Sequence, residues 1–300
     1  PESMVYDNRI GVAGRMDLLA IDSAGEPVVI DFKGLAVDTK IPTKDGWKTM
    51  GSLSIGDTVF SSDGTQCKVI NKSSVHNREC FEVVFDDTTR VVCDNVHLWK
   101  ATISLRNKKI ETVVSTQRLY EIFSENKAEQ SITIKNAGAI CLPDAELLVD
   151  PYVLGFWLGD GHHADGMISY GPNKTKVKEH IEKLGFISTY SRKSSSSGCL
   201  ECYHKGIRTA IKKLGLYKNK HIPNQYLRGS IEQRLSLIRG LMDSDGSWNK
   251  KRNQAVFTST NERLAIGMRE LVVSMGWRCN YHKHKSFGFG KEVAVYGVYF

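Results

Sequence analysis

Two stretches of this chain close on the same dipeptide after an apolar run. The first is Tyr152-Val-Leu-Gly-Phe-Trp-Leu-Gly-Asp-Gly161, and the second is Ser236-Leu-Ile-Arg-Gly-Leu-Met-Asp-Ser-Asp-Gly246. Each sets one carboxylate, Asp160 or Asp245, directly before a glycine. Neighbouring carboxylates repel unless a cation bridges them, so a pair brought together makes a divalent-metal site suited to hydrolysing phosphodiesters. Asp243 is the rival in the second run, but the register against Asp160-Gly161 selects Asp245. Lys220, in Lys220-His-Ile-Pro223, lies between the two runs, where a solvated lysine in a basic loop is the ordinary reading. Two further sets carry chemistry. His97 lies in Val91-Val-Cys-Asp-Asn-Val-His-Leu-Trp99, and histidine is the residue type most used for general acid–base work. Asp17, Asp31 and Lys33 lie in a strand-rich N-terminal stretch. Asp31 and Lys33, at i and i+2, face one side of a strand, where carboxylate and lysine together suit phosphate chemistry.

The elements that must position these residues differ along the chain. Residues 1–33 read as a β-hairpin, with strands Val12–Ile21 and Pro27–Phe32 around the turn Asp22-Ser-Ala-Gly25. Residues 34–145 read as all-β: turns at Lys44-Asp-Gly46, Gly56-Asp57, Ser62-Asp-Gly64 and Asp86-Asp87 separate short β-branched runs, with one helix near 115–126. Residues 146–300 switch to α/β. Each apolar run there reads as a helix, followed by polar strands and a helix ending in a Gly-aromatic pair, Gly185-Phe186 or Gly276-Trp277. Two copies of that order predict internal pseudo-symmetry. Gly155, Gly159, Gly240 and Ser244 are small enough to let the two apolar helices meet closely and bring Asp160 and Asp245 together.

Composition sets outer bounds. The 300 residues carry a net charge of +8. Residues 1–33 hold six acids and three bases, so the other 267 carry +11, a balance that suits a polyanion such as DNA. Basic side chains gather in two places: Lys174, Lys176, Lys178, Arg192 and Lys193, then Lys250, Lys251, Arg252, His282, Lys283, His284 and Lys285. No apolar run reaches the roughly 18 residues of a membrane span, and no signal peptide is visible, so a cytoplasmic protein with no membrane partner is expected. Seven scattered cysteines argue against a disulfide framework, and the single Cys199-x-x-Cys202 reads as fortuitous rather than a zinc site.

The two apolar runs resemble the paired motifs of DOD-type LAGLIDADG homing endonucleases. That resemblance implies double-strand DNA cutting with Asp160 and Asp245 as metal ligands and catalytic groups, Lys220 beside them, Mg2+ as cofactor, and a long recognition site read by a monomer through its pseudo-two-fold. Gly34-Leu-Ala-Val-Asp-Thr39 with Met50-Gly-Ser-Leu-Ser-Ile-Gly-Asp-Thr-Val59 is similar to the first splicing block of inteins (the Hint fold), and Val91–Trp99 to the second. By that resemblance His97 polarises the amide at the N-terminal junction, and Gly34, Asp94 and Trp99 belong to the same set. Gly34 offers no nucleophile where most inteins carry Cys or Ser. Either the splicing element is inactivated, or it resembles the third splicing class, which Trp99, two residues after His97, favours. The hairpin, in the form Gly-Arg-Met-Asp17 then Val-Ile-Asp31-Phe-Lys33, resembles PD-(D/E)xK nucleases of the RecB-like type and implies an interrupted host nuclease.

The expectation is therefore an α+β chain in three parts. Residues 1–33 are a host nuclease hairpin, 34–145 the N-terminal part of an all-β Hint splicing domain, and 146–300 a pseudo-symmetric LAGLIDADG endonuclease from a bacterial or phage intracellular protein. The sequence closes on Val298-Tyr-Phe300 without the His-Asn pair of the C-terminal splicing blocks, so the chain as written is expected not to splice. The alternatives are a degenerate intein that binds DNA without cutting it, and a function residing in the host nuclease.

Overall fold

A computed structural model describes residues 34–104, 108–125, 131–195, 197–287, 290 and 292–300, and the backbone of 4–7, 13–15, 18–21, 27–28, 105, 130, 288 and 291. The chain divides into two compact units, Pro1–Cys141 and Leu142–Phe300. Among the described residues no helix is long and apolar enough to cross a membrane.

The first unit is built from short antiparallel strands. Leu98–Leu105 pairs on one side with Lys108–Ser115 and on the other with Gln130–Ile134. Cys80–Phe85 lies between Met4–Asp7 and Arg90–Asp94. Gln66–Lys72 lies between Thr58–Phe60 and Leu18–Ile21, which also pairs with Pro27–Val28. Period-two alternation drives the inward side chains into one core that includes Ile41, Val59, Cys67, Val69, Val83, Cys93, Ala101, Ile103 and Ile132. The turn at Ser62-Asp63-Gly64 depends on its glycine. Gly64 has φ +89°, and a Cβ there would run into the backbone of Ala139. The α-helix described in this unit, α1 (Thr116–Ser124), starts where Ser115 accepts the Arg118 N–H, and its Leu119 and Ile122 close the core.

The second unit packs two helices along their length. Helix α2 (Pro151–Asp160) begins at Asp150, whose carboxylate accepts the N–H groups of Tyr152 and Val153, with Pro151 in the first turn. Its residues Tyr152–Leu158 are buried without a break, as expected of a helix apolar on every side. Among the described residues four helices separate it from the last. They are α3 (Thr175–Lys183), α4 (Ile207–Lys213), α5 (Asn224–Leu227) and α6 (Ile231–Asp245), and α7 (Glu262–Ser274) follows. A capping box between Ser230 and Gln233 starts α6.

Each of α2 and α6 feeds an antiparallel sheet. In the first, Leu200–His204 lies between Ile168–Tyr170 and Ser188–Lys193. In the second, Gln254–Ser259 pairs with Gly246–Asn249 and with Lys291–Tyr299, which pairs onward with Asn280–Gly288. The bridge Gly161–Ile168 after α2 corresponds to the pair Gly246–Phe257 after α6, and α3 corresponds to α7. The repeated grammar of the sequence is thus a repeated order of helix, sheet and helix.

Candidate active site

Glycine governs how near α2 and α6 come. A Cβ on Gly240 would lie 2.8 Å from Phe156 N and nearer still to the Tyr152 carbonyl oxygen; one on Gly155 would lie 2.9 Å from Leu241 N and nearer to the Leu237 carbonyl. At the carboxyl ends a Cβ on Gly159 would meet Ser244 and come 2.9 Å from Asp245 Oδ2. All four small residues expected at this seam therefore lie in it, and the last turns of both helices deliver Asp160 and Asp245 to one place.

The electrostatics of the two acids are unequal. Asp245 is half-buried; burial, and next the charge of Asp160, push its carboxyl above the ordinary range, against the pull of Lys220 and Lys174. Asp160 receives a direct ion pair from Lys174, whose Nζ lies 2.5 Å from Asp160 Oδ2 and also donates to the Ser244 carbonyl at 2.7 Å. Lys220 sits on the other side, donating to the Gly159 carbonyl at 3.0 Å with its Nζ 5.1 Å from the Trp157 ring centroid. Burial lowers its pKa to about 8, although Asp245 and Asp160 hold it up. Asn261 caps α7 and steadies this lysine by donating its Nδ2 to the Lys220 carbonyl at 2.8 Å. Asp243 is committed elsewhere, accepting the Tyr152 hydroxyl at 2.7 Å.

Lys174 belongs to the first of the two basic groups, and its place between the helix ends is not legible from spacing. It stands immediately before α3, beyond the strand Ile168–Tyr170, and only the fold carries it back to Asp160. Others of that basic group have intramolecular partners: Lys178 pairs with Glu182 at 2.6 Å, and Arg192 with Glu201 at 2.7 Å. Strand alternation divides the second basic group. His282 and His284 share a cleft of about 360 Å³ with Arg252, Gln254, Asn280 and Tyr299, whereas Lys283 lies with its Nζ 5.3 Å from the Tyr296 ring centroid.

In the first unit Gly34 and the 91–99 stretch adjoin. Leu35 bridges Cys93, and the Asp94 N–H donates to the Gly34 carbonyl at 2.6 Å. Gly34 has φ +78°, and a Cβ there would lie 2.8 Å from Asp94 Oδ2 and nearer to Oδ1. His97 and Trp99 are buried, their rings edge to face with centroids 4.7 Å apart. Thr116, not singled out from sequence, links this set: its hydroxyl accepts Trp99 Nε1–H at 2.9 Å, and its N–H donates to the His97 carbonyl at 2.9 Å. Beside it Cys93 is buried, which pushes its thiol up to about 12 and leaves it a poor nucleophile. Replacing Gly34 with Ala is expected to destabilise this unit by about 1–3 kcal/mol through positive-φ strain and displacement of Asp94. A thermal melt unchanged by that substitution would contradict it. Asp17, Asp31 and Lys33 lie outside the described residues.

Residues 232–293, which begin in the helix that carries Asp245, match the family model described as a LAGLIDADG-like domain. The second unit thus contains a LAGLIDADG-like domain. Two curated relatives are replicative DNA helicases DnaB. The protein from Mycobacterium intracellulare is 34% identical over 266 residues, covering 82% of this chain and 43% of that protein. The one from Mycobacterium leprae (strain TN) is 36% identical over 75 residues, covering 25% of this chain and 12% of that protein. The chain therefore spans less than half the length of either. Among solved structures, mesophilic variants of the homing endonuclease I-DmoI share 16% identity at a TM-score of 0.34, covering 50% of this chain and 86% of theirs. I-DmoI in complex with DNA and Mn shares 15% at 0.33, covering 50% and 87%.

Proposed function

We propose that the LAGLIDADG-like domain is a site-specific DNA endonuclease carried by a protein-splicing element. The observation that carries the first part is the carboxylate pair itself: Asp160 and Asp245 at the ends of two glycine-seamed helices, flanked by Lys174 and Lys220. These residues fit a divalent cation. One acid is raised by burial and by the charge of the other, the imbalance a dication relieves. Among the described residues no third His, Cys, Asp or Glu joins them, so further positions fall to backbone carbonyls and water, as Mg2+ prefers. Asp160 and Asp245 would hold the metal, which when bound activates water and offsets charge on the leaving oxygen.

The protein's own groups do the rest. Lys220, fixed over Trp157 with its pKa lowered to about 8, can hold a phosphate oxygen or pass a proton near neutral pH. The cleft of Arg252, Gln254, Asn280, His282 and His284 offers donors to base edges and phosphates of a long duplex, read by an intracellular monomer through its pseudo-two-fold.

The splicing reading rests on the contact of Gly34 with Asp94 and of His97 with Trp99. The room beside Gly34 is taken by Asp94, which suits a third-class element better than one that has lost a nucleophile from its first position. A chain 34% identical over 266 residues to part of a helicase, whose first 33 residues resemble a nuclease hairpin in sequence, is what a mobile insertion leaves in different hosts.

The test is to incubate the purified chain and Mg2+ with DNA spanning the uninterrupted host gene at the codon for Lys33. Linear double-strand products that vanish with EDTA and with Asp160→Asn are expected. Cutting that Asp160→Asn leaves intact would refute the assignment. Salt-dependent binding without any cutting would favour the degenerate alternative.

A further inference from the structure

The two lysines at the carboxylate pair occupy matching places by different routes. Lys220 donates to the carbonyl of Gly159, the residue before Asp160; Lys174 donates to the carbonyl of Ser244, the residue before Asp245. Each ammonium also lies over an aromatic ring of α2, Lys220 at 5.1 Å from the Trp157 centroid and Lys174 at 5.3 Å from that of Phe156. In the pseudo-symmetric frame the N-cap position of Lys174 on α3 is taken by Asn261 on α7, whose side chain donates to the Lys220 carbonyl and accepts the Leu264 N–H. The symmetry breaks at the acids. Lys174 forms an ion pair with Asp160, and it also spans to the opposite helix.

An ammonium on Asp160 Oδ2 and on a carbonyl of the partner helix puts positive charge against oxygen ligands of the kind a hard divalent ion takes, with half that ion's charge. We infer that Lys174 is a built-in counter-cation of the carboxylate pair, and that a divalent ion reaches Asp160 by displacing it. Its side chain is 27% exposed, on a flexible stem in the turn before α3, so it can swing out without disturbing either helix. The displaced ammonium is then free to meet a phosphate. The device holds the helix ends together before metal arrives, at the cost of weaker metal binding without DNA. This rests on the carboxylate pair being the metal site, as proposed above.

The experiment titrates Mn2+ into the purified full chain without DNA at low ionic strength and reads free Mn2+ by electron paramagnetic resonance. Lys174→Met, with Lys174→Gln as a second neutral variant, is expected to bind Mn2+ about tenfold more tightly than the natural chain, since one nearby positive charge is gone. Lys174→Arg, and Lys213→Met at an exposed position on α4, are expected to bind within about twofold of it, showing that the effect belongs to the local charge. Unchanged or weaker binding by both neutral variants, with binding still abolished by Asp160→Asn, would overturn the role of Lys174 alone. If Asp160→Asn leaves Mn2+ binding unchanged, or if no chain binds Mn2+, the metal-site reading falls and this inference with it.

Discussion

Exchanging Asp245 for Asn is expected to abolish DNA cutting, by about a thousandfold or more, and to raise the thermal stability of the metal-free chain at neutral pH. The two effects share one cause. Asp245 is held in the folded state with its carboxyl pushed up, first by burial and then by the charge of Asp160. A carboxyl whose folded pKa lies above its unfolded value binds more protons folded than unfolded between those two values. Stability therefore falls as pH rises through that window, and the penalty is fully present above the folded pKa. Asparagine keeps the shape and carries no such penalty. Melting curves in EDTA should show the variant gaining on the natural chain as pH rises above the ordinary carboxylate range toward neutrality. Loss of a charged metal ligand removes the reason for the burial, so the same variant should not cut. A variant that melts below the natural chain at pH 7, or that cuts as well, would contradict this account. Sites that trade stability for activity behave in this way, and a purely structural aspartate would show the reverse.

Gly240→Val is expected to be the most damaging single substitution in the second unit, costing roughly 3–5 kcal/mol or preventing folding. The obstacle is backbone. A Cβ at 240 would face Phe156 N at 2.8 Å and the Tyr152 carbonyl carbon at 2.9 Å, and no rotamer change can move either. The helices would have to part, exposing core formed by Phe156, Leu237 and Leu241 and separating Asp160 from Asp245. Gly171→Ala is the contrast: nothing lies within 4 Å of a Cβ there and its φ is not positive, so little change in stability is expected. Limited proteolysis and thermal melts of the two variants give the comparison. A Gly240→Val chain as protease-resistant as the natural one would show that the seam is looser than the structure has it.

Much of this was legible because the chemistry sits on strongly patterned elements. An apolar helix of ten residues with glycines at Gly155 and Gly159, repeated with Gly240 and Ser244, can be buried against a helix of its own kind and little else. The Asp-Gly register separated Asp245 from Asp243, and the structure gives Asp243 a hydroxyl partner instead. The helix near 115–126 is present as Thr116–Ser124, because Ser115 caps it and its apolar residues fall on one face. The strand read as Val12–Ile21 is found as Ala13–Arg15 and Leu18–Ile21, in two different pairings.

What the sequence determined by itself was local: which runs are helical, where caps and turns fall, which residue types recur in register, and hence that Asp160 and Asp245 should meet. Such features follow from the nearest few residues and from period, which sequence displays directly. The tertiary structure alone decided where the long cationic side chains end. Lys174, Lys178, Arg192 and Lys283 look alike as surface charge in sequence. Yet the first reaches Asp160, the next two are tied to Glu182 and Glu201, and the last lies over Tyr296. A lysine stem spans several ångströms in any direction, and its partner is chosen by which carboxylate or carbonyl the fold leaves within that reach. For the same reason Thr116 joined His97 and Trp99 only when the chain had folded, since the hydroxyl that links them comes from a helix that begins seventeen residues after Trp99.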